Sequence, residues 1–376
     1  MRIKVNYNEL YNVLGYVNTV LSNKTVDEKM KNVIFLVDKE NVTLVGYSAL
    51  TFSRTKLESV EVEGVEDTYQ FQVKYGDLNG IVGSYSNLSK TKVEDIEFED
   101  SNNRIKMSVH EEAIDPADER LAQVSRFMLD NVPILESIKK EITNEFPEDV
   151  DTVFSGDLLL YLDSLFPLMS NDSVSKFNFG DEYVFVLSSY ISSFFVNKLP
   201  DSFKGVTLGY SSINFLRKLC TDAESINVQK VDRYLCIQSG LTEAFLKYQT
   251  VKIKTEPYVK RMSKDNGIVL DRLYLKDVLK RMLVFSQDGT AQMTDLGLEV
   301  SNQGFTQIVP VNNRKGDVDN LKFRMSTSVL MKTIIGDDSV FSGDLFLYFV
   351  KVGANGYMIY VKDATGAWFS TIQVRV

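Results

Sequence analysis

The sequence is poor in the residues that most enzymes use. Its 376 residues include one histidine, two cysteines and one tryptophan. Cys220 and Cys236 cannot build a disulfide framework, and together with His110 they fall short of the ligands a Cys/His zinc site needs. A histidine-based triad would have to use His110. That residue lies in RIKMSVHEE, on the polar phase opposite Ile105, Met107 and Val109, and reads as an ordinary surface histidine. Cys220 follows a helical pattern and Cys236 sits inside YLCIQ, so both read as core filler. No GxxxxGK[ST] occurs, and no GxGxxG stands between a strand and a helix. The 51 acidic residues are scattered, with no pair at a spacing that singles out acid/base work. The expectation is a non-enzymatic protein without metal or cofactor. Long apolar runs are also missing: Asp157–Leu168 is interrupted by Asp163 and falls short of the roughly 18 residues of a membrane span. The opening MRIKVNYNEL has no apolar stretch like that of a secretory signal. A reduced, cytoplasmic protein with no membrane partner is expected.

What is present is ordinary for a globular chain: 44% hydrophobic and 25% charged residues, enough to bury real cores. The length suits two or three domains. Net charge is −9. It is unevenly spread: residues 251–376 hold 17 basic and 13 acidic side chains, and residues 1–250 hold 25 and 38. An acidic body with local basic faces can hold a polyanion at one place and repel it elsewhere.

Periodicity is more informative. Most of the chain reads as short strands of alternating polarity, as in Tyr69, Phe71 and Val73, in Ile105, Met107 and Val109, in Leu321, Phe323 and Met325, or in Ile372, Val374 and Val376. Helical stripes occur in six short windows only: NELYNVLGYV, GDLNGIVGSY, GDLLLYLDSL, SSINFLRKL, LYLKDVLKRM and STSVLMKTII. Counted between Leu10, Leu78, Leu158, Ile213, Leu275 and Leu330, they recur at 68, 80, 55, 62 and 55 residues. Six units of strand, helix and about three strands fill the chain. The long second interval holds EEAIDPADERLAQ and DNVPILESIKKEITNEFPED, polar and Pro-containing, which read as connection. No unit of this size closes a core alone, so pairs give three domains, 1–147 (with an acidic linker at 130–147), 148–254 and 255–376. The fold class expected is α+β.

Six βαβββ units in three tandem domains resemble the bacterial β sliding clamp, the DNA polymerase processivity factor. The opening fifty residues are similar to the clamp's first strand, helix and hairpin. SRFMLDNVPI resembles the segment that closes its first domain, EPYVKRM the stretch between domains two and three, and IQVRV the terminus. The resemblance covers essentially the whole chain at low identity, as in a divergent, bacteriophage-type member. It implies a head-to-tail homodimeric ring around double-stranded DNA, helices lining the channel and sheets outside, with a DNA polymerase and a clamp loader as partners. Sliding calls for few phosphate contacts and no base readout.

The resemblance also assigns residues. Lys24, Arg217, Lys218, Lys276, Lys280, Arg281 and Lys332 would face DNA, with Lys276 and Lys280 one turn apart. A solvated surface cation is the competing reading for each. The first three helical windows hold almost no basic residues, a departure from the family. A pocket for partner peptides would involve Ile191, Tyr258, Met262, Ile372 and Val374, though SSYISSFF does not match the family's pocket edge, and core packing competes for Ile372 and Val374. The subunit interface would use Ile105 and Met107 on one side, Val284 and Phe285 on the other. The alternative function is a β-rich structural or virion assembly protein with no role on DNA.

Overall fold

The computed structural model describes residues 1–21, 31–171, 174–181, 183–188, 191–196, 200–251, 266–334, 343–352, 356–365 and 368–375. Seven α-helices lie among them: α1 (Tyr7–Leu21), α2 (Tyr75–Ser84), α3 (Glu136–Ile142), α4 (Ser155–Leu165), α5 (Tyr210–Asp222), α6 (Arg272–Leu283) and α7 (Thr327–Ile334). All but α3 follow a strand without a gap: Arg2–Asn6, Tyr69–Lys74, Asp151–Phe154, Val206–Gly209, Gly267–Asp271 and Lys322–Ser326. The six strand–helix junctions recur at the intervals read from the sequence, and the α+β class holds.

The chain forms two compact units, residues 1–155 with 214–248, and residues 156–213 with 249–376. Unit 1 contains two antiparallel sheets. In the first, Val60–Glu63, Arg2–Asn6, Thr91–Ser101, Arg104–Ala113 and Gln123–Asp130 run in that order. In the second, eight strands begin at Asp151–Phe154 and end at Tyr69–Lys74. The contact of Thr242–Lys247 with Thr51–Leu57 joins two hairpin systems far apart in sequence.

The eight-stranded sheet is apolar on both faces, which explains the unbroken run NVIFLV. Val33, Phe35 and Val37 face α1 and α2 and share their core with Leu10, Leu14, Val17 and Leu78. Gly46 permits the approach, because a Cβ there would lie 3.2 Å from the Val17 backbone. Ile34 and Val45 point the other way, into a second cluster with Phe52, Phe245, Ile138 and Ile142.

Ile138 and Ile142 belong to α3, so the 130–147 linker is not the plain connection its composition indicates. It is a helix bound to the sheet at two further points. Arg54 donates to the carbonyls of Ile142 (3.1 Å) and Asn144 (2.7 Å), and its guanidinium also holds Glu243. The Glu141 carboxylate accepts from the Tyr47 and Tyr234 hydroxyls and lies 2.5 Å from Lys247 Nζ. Likewise, the 111–123 insert ends a strand and forms a 3-10 turn at Pro116–Leu121.

Unit 2 holds one sheet of fourteen described strands. Its path from Gln249–Thr250 to Phe305–Val309 passes through the pairing of Ile191–Val196 with Trp368–Arg375. Helices α6 and α7 pack together on it, burying Leu275, Val278, Leu279 and Met282 of α6 and Leu330 and Met331 of α7. The side chain of Asp271 caps α6, accepting from Tyr274 N at 2.7 Å.

Burial alone would push the Glu141 carboxyl up, but hydrogen bonds from Lys247, Tyr234 and Tyr47 outweigh it and hold the group below the ordinary glutamate range. Its stabilisation is therefore complete above the unfolded-state value and disappears as pH falls through the lower folded value. Glu141→Ala should cost about 2–3 kcal/mol at pH 7 and progressively less in acid. Glu136→Ala, on the exposed side of the same helix, should leave stability nearly unchanged at either pH. Urea unfolding of both variants at pH 7 and pH 4 checks the pair; equal losses would remove Glu141 as the anchor of α3.

Candidate functional site

Several surfaces carry the groups singled out in the sequence. The first is the set of helix faces. In α1 the exposed positions are Asn8, Tyr11, Asn12, Gly15 and Asn18, and neither α1, α2 nor α4 contains a lysine or arginine. Among the six helices of the repeat, cations first appear in α5, where Arg217 and Lys218 are half-exposed. Lys218 is already engaged within unit 1: its Nζ lies 3.1 Å from Asp222 and 4.7 Å from the centre of the Tyr16 ring. The Tyr16 hydroxyl donates to the same carboxylate at 2.7 Å. Burial and that hydrogen bond push the phenol well above its ordinary value. The cluster fastens α1 to α5 and neutralises the lysine.

In α6 the basic residues are more open. Lys276 is half-buried beside the Leu275/Leu279 stripe, and Lys280 and Arg281 are exposed. Lys280 keeps a loose pairing with Asp277 at 3.8 Å. Both lie in the last turn, where cations also favour the helix dipole. Lys332 belongs to α7. Lys24 lies outside the described residues.

The second surface is a cavity of about 1060 Å³ within unit 2. Its floor is apolar: Phe323, Met325, Leu330, Ile359, Ile372 and Val374 are each at most 6% exposed. It opens where Lys322–Ser326 meets Trp368–Arg375 at a single pair, Arg324 opposite Arg375, so the two strands splay. Ile372 and Val374 thus both line this cavity. Ile191 stands opposite Ile372 in the strand register, whereas Tyr258 and Met262 lie outside the described residues. Sequence reasoning missed Phe323, Met325, Val329, Leu330 and Ile359. Their only signal was alternation, and that does not say which strands part.

The remaining groups lie at two separate sheet edges, one in each unit. Val284 and Phe285, just past α6, are 80% and 59% exposed. Phe285 stacks on Phe305 with ring centres 6.1 Å apart, beside the terminal strand Phe305–Val309. Ile105 and Met107 do not belong to such a surface. Both are 0% exposed, because alternation turns them inward against α1 and α2. Gln123–Asp130 is one edge of that sheet, with Val124 and Met128 exposed, and Val60–Glu63 is the other.

The remaining sequence candidates for chemistry are structural. Cys220 and Cys236 are buried, and burial pushes the Cys236 thiol up to about 12. His110 is part-exposed on the outer ladder, 3.6 Å from Glu97. Among the described residues, no group of three or more His, Cys, Asp or Glu side chains is placed to hold a metal ion, and no helix is long and apolar enough to cross a membrane.

The fold is that of bacterial DNA sliding clamps. The chain matches the Bacillus subtilis DNA polymerase sliding clamp at TM-score 0.71 and 11% identity, covering 100% of this chain and 99% of that one. It matches the Caulobacter crescentus polymerase III β protein at 0.70 and 13%, and the Thermotoga maritima polymerase III β subunit at 0.68 and 11%, with the same coverage. No protein-family model and no curated protein sequence matches it.

The burial contrast between the two sets of edge residues is directly measurable. Ile105→Ala should destabilise unit 1 by about 2–5 kcal/mol, as a core truncation does. Phe285→Ser should cost no more than about 1 kcal/mol. Thermal unfolding of each variant checks the assignment, and the reverse order would contradict it.

Proposed function

We propose that this protein is a sliding clamp: a ring that holds a replicative DNA polymerase on duplex DNA by enclosing the duplex. The observation that carries the reading is the strand–helix repeat, which matches clamps from end to end over 100% of the chain. The protein would act without catalysis, as three domains (1–147, 148–254, 255–376) per subunit and two subunits per ring, in the cytoplasm. Divergence from the cellular clamps fits a bacteriophage-encoded member.

The residues support distinct roles. Lys276, Lys280 and Arg281, with Lys24, Arg217 and Lys332, are the phosphate contacts; Lys218, held by Asp222, contributes least. Neutral Asn-rich faces on α1 leave few charges on the duplex, which suits sliding more than tight binding. The cavity around Ile372 and Val374, with Ile191, Tyr258 and Met262, receives the peptides through which polymerase and clamp loader attach. The edge Gln123–Asp130 of one copy pairs with the edge Phe305–Val309 of the next, and Val284 and Phe285 cover the joint.

The test is topological. The protein should run as a dimer, remain on nicked circular DNA once loaded, and leave when the circle is cut. Val284→Asp with Phe285→Asp should give a folded monomer that no longer stays on circles. Lys276→Glu with Lys280→Glu should leave the dimer intact and lower DNA retention several-fold. A wild-type protein that is monomeric, or retained equally by linear and circular DNA, would refute the clamp and favour a structural role.

A further inference from the structure

The sheet face beneath α3 is organised by its own strands. Phe52 and Phe245 stack with ring centres 4.4 Å apart, and Tyr234 meets them edge-on at 6.0 and 6.3 Å. Arg54 lies over the Phe245 ring at 4.9 Å and is held from the sheet side by Glu243. Lys247 and Arg233 stand over the Tyr234 ring at 5.7 and 5.6 Å. These residues come from three neighbouring strands, Thr51–Leu57, Thr242–Lys247 and Tyr234–Ser239, and the turn before the last. The 131–147 segment adds Ile134, Ile138, Ile142 and Phe146, the Glu141 carboxylate at Lys247, and two carbonyls at Arg54. Its helix has seven residues, and Leu135 at the N-cap supplies no side-chain cap and is exposed. The face also runs on past α3. Arg54 and Glu243 are shared with an open trough of about 390 Å³, lined further by Leu36, Thr43, Lys56 and Leu241.

We propose that this face is a helix-docking seat for which α3 is a removable cover. Its second occupant is a partner's amphipathic helix with two large apolar residues four positions apart and an acidic residue just before the second. Charge complementarity names the occupant. The aromatic floor takes the apolar pair, as it takes Ile138 and Ile142. Lys247 and Arg233 receive the carboxylate, as they receive Glu141. Arg54 meets carbonyls at the negative end of the helix dipole. A basic helix would face those three cations unpaired and be rejected. A partner segment that continues past Arg54 would cover Leu36 and Leu241 as well, which line the open trough beside α3. That extra apolar contact lets it compete with a cover tethered to the same chain. The seat shares no residue with the surfaces assigned above to DNA, to partner peptides or to the subunit joint.

The probe is a fluorescent synthetic peptide with the sequence of residues 132–147, and anisotropy follows its binding to the full-length protein. Wild type should bind it weakly, because its own α3 fills the seat. Ile138→Ala with Ile142→Ala loosens the cover and leaves the seat intact, so it should bind the peptide about tenfold more tightly. Adding Lys247→Glu should remove that gain, and a peptide carrying Glu141→Lys should recover it. Cys236 reports the cover directly, because it belongs to the covered cluster and reacts with a thiol reagent only when exposed. Glu141→Gln should speed its labelling about tenfold and leave Cys220 unchanged. Ile105→Ala, which weakens the core on the opposite face, should speed Cys220 alone. Equal binding by wild type and the double-alanine protein would overturn the proposal. So would Cys236 labelling that follows Cys220 in every variant, since α3 would then open only with the whole unit. If the double-alanine protein fails to fold, Cys236 in Glu141→Gln decides by the same criterion. A double-alanine protein that excludes the peptide by forming a species larger than wild type would overturn the partner helix in favour of a second copy.

Discussion

The helices of the repeat are short, between 8 and 15 residues. Segments of that length are marginal in water, because each new helix must meet the cost of nucleation before its hydrogen bonds add up. They persist here only by burying an apolar stripe against a sheet, and one strand–helix unit offers too little sheet to do so. That requirement governs the rest of the molecule. It explains why α6 packs with α7 on a common sheet and why α1 and α2 share one core. It also explains why strands such as Thr51–Leu57 and Thr242–Lys247 join across almost two hundred residues of chain.

Once the helices take one face of a sheet, the other face must still be closed. In unit 1 part of that task falls to α3, in a segment whose composition reads as linker. Its seven residues could not persist alone. Two isoleucines, a half-buried carboxylate met by two tyrosines and a lysine, and an arginine on the carbonyls at and just past its end hold it in place. Where no such cover exists, in the splay between Lys322–Ser326 and Trp368–Arg375, the sheet opens into the cavity. The helix cover and the opening are two outcomes of the same demand that a sheet bury both its faces.

Charge follows the same division of labour. The acidic excess is spread over the outer ladders, where Arg2 and Lys4 meet Glu63, Glu97, Asp95 and Glu61 in exposed pairs of little energetic worth. Cations on the helices of the repeat are few, confined to α5, α6 and α7, and one of them, Lys218, is engaged by packing against Asp222 and Tyr16.

Much of the fold was legible in the sequence, because period-two and period-3.6 patterns are local and survive without an alignment. The α+β class, the six junctions and their intervals and the buried cysteines all follow from composition and spacing. The reading failed wherever the answer depended on which face of a strand meets which neighbour. Ile105 and Met107 alternate correctly, but the phase of a strand does not say whether its apolar side meets a helix of its own unit or another subunit. The linker helix, the neutralised Lys218 and the cavity that brings Phe323, Arg324 and Val374 together share that origin. Each depends on pairing between residues distant in the chain, and only the closed tertiary structure sets that pairing, because a strand edge or a side-chain charge acquires its partner when the sheet forms.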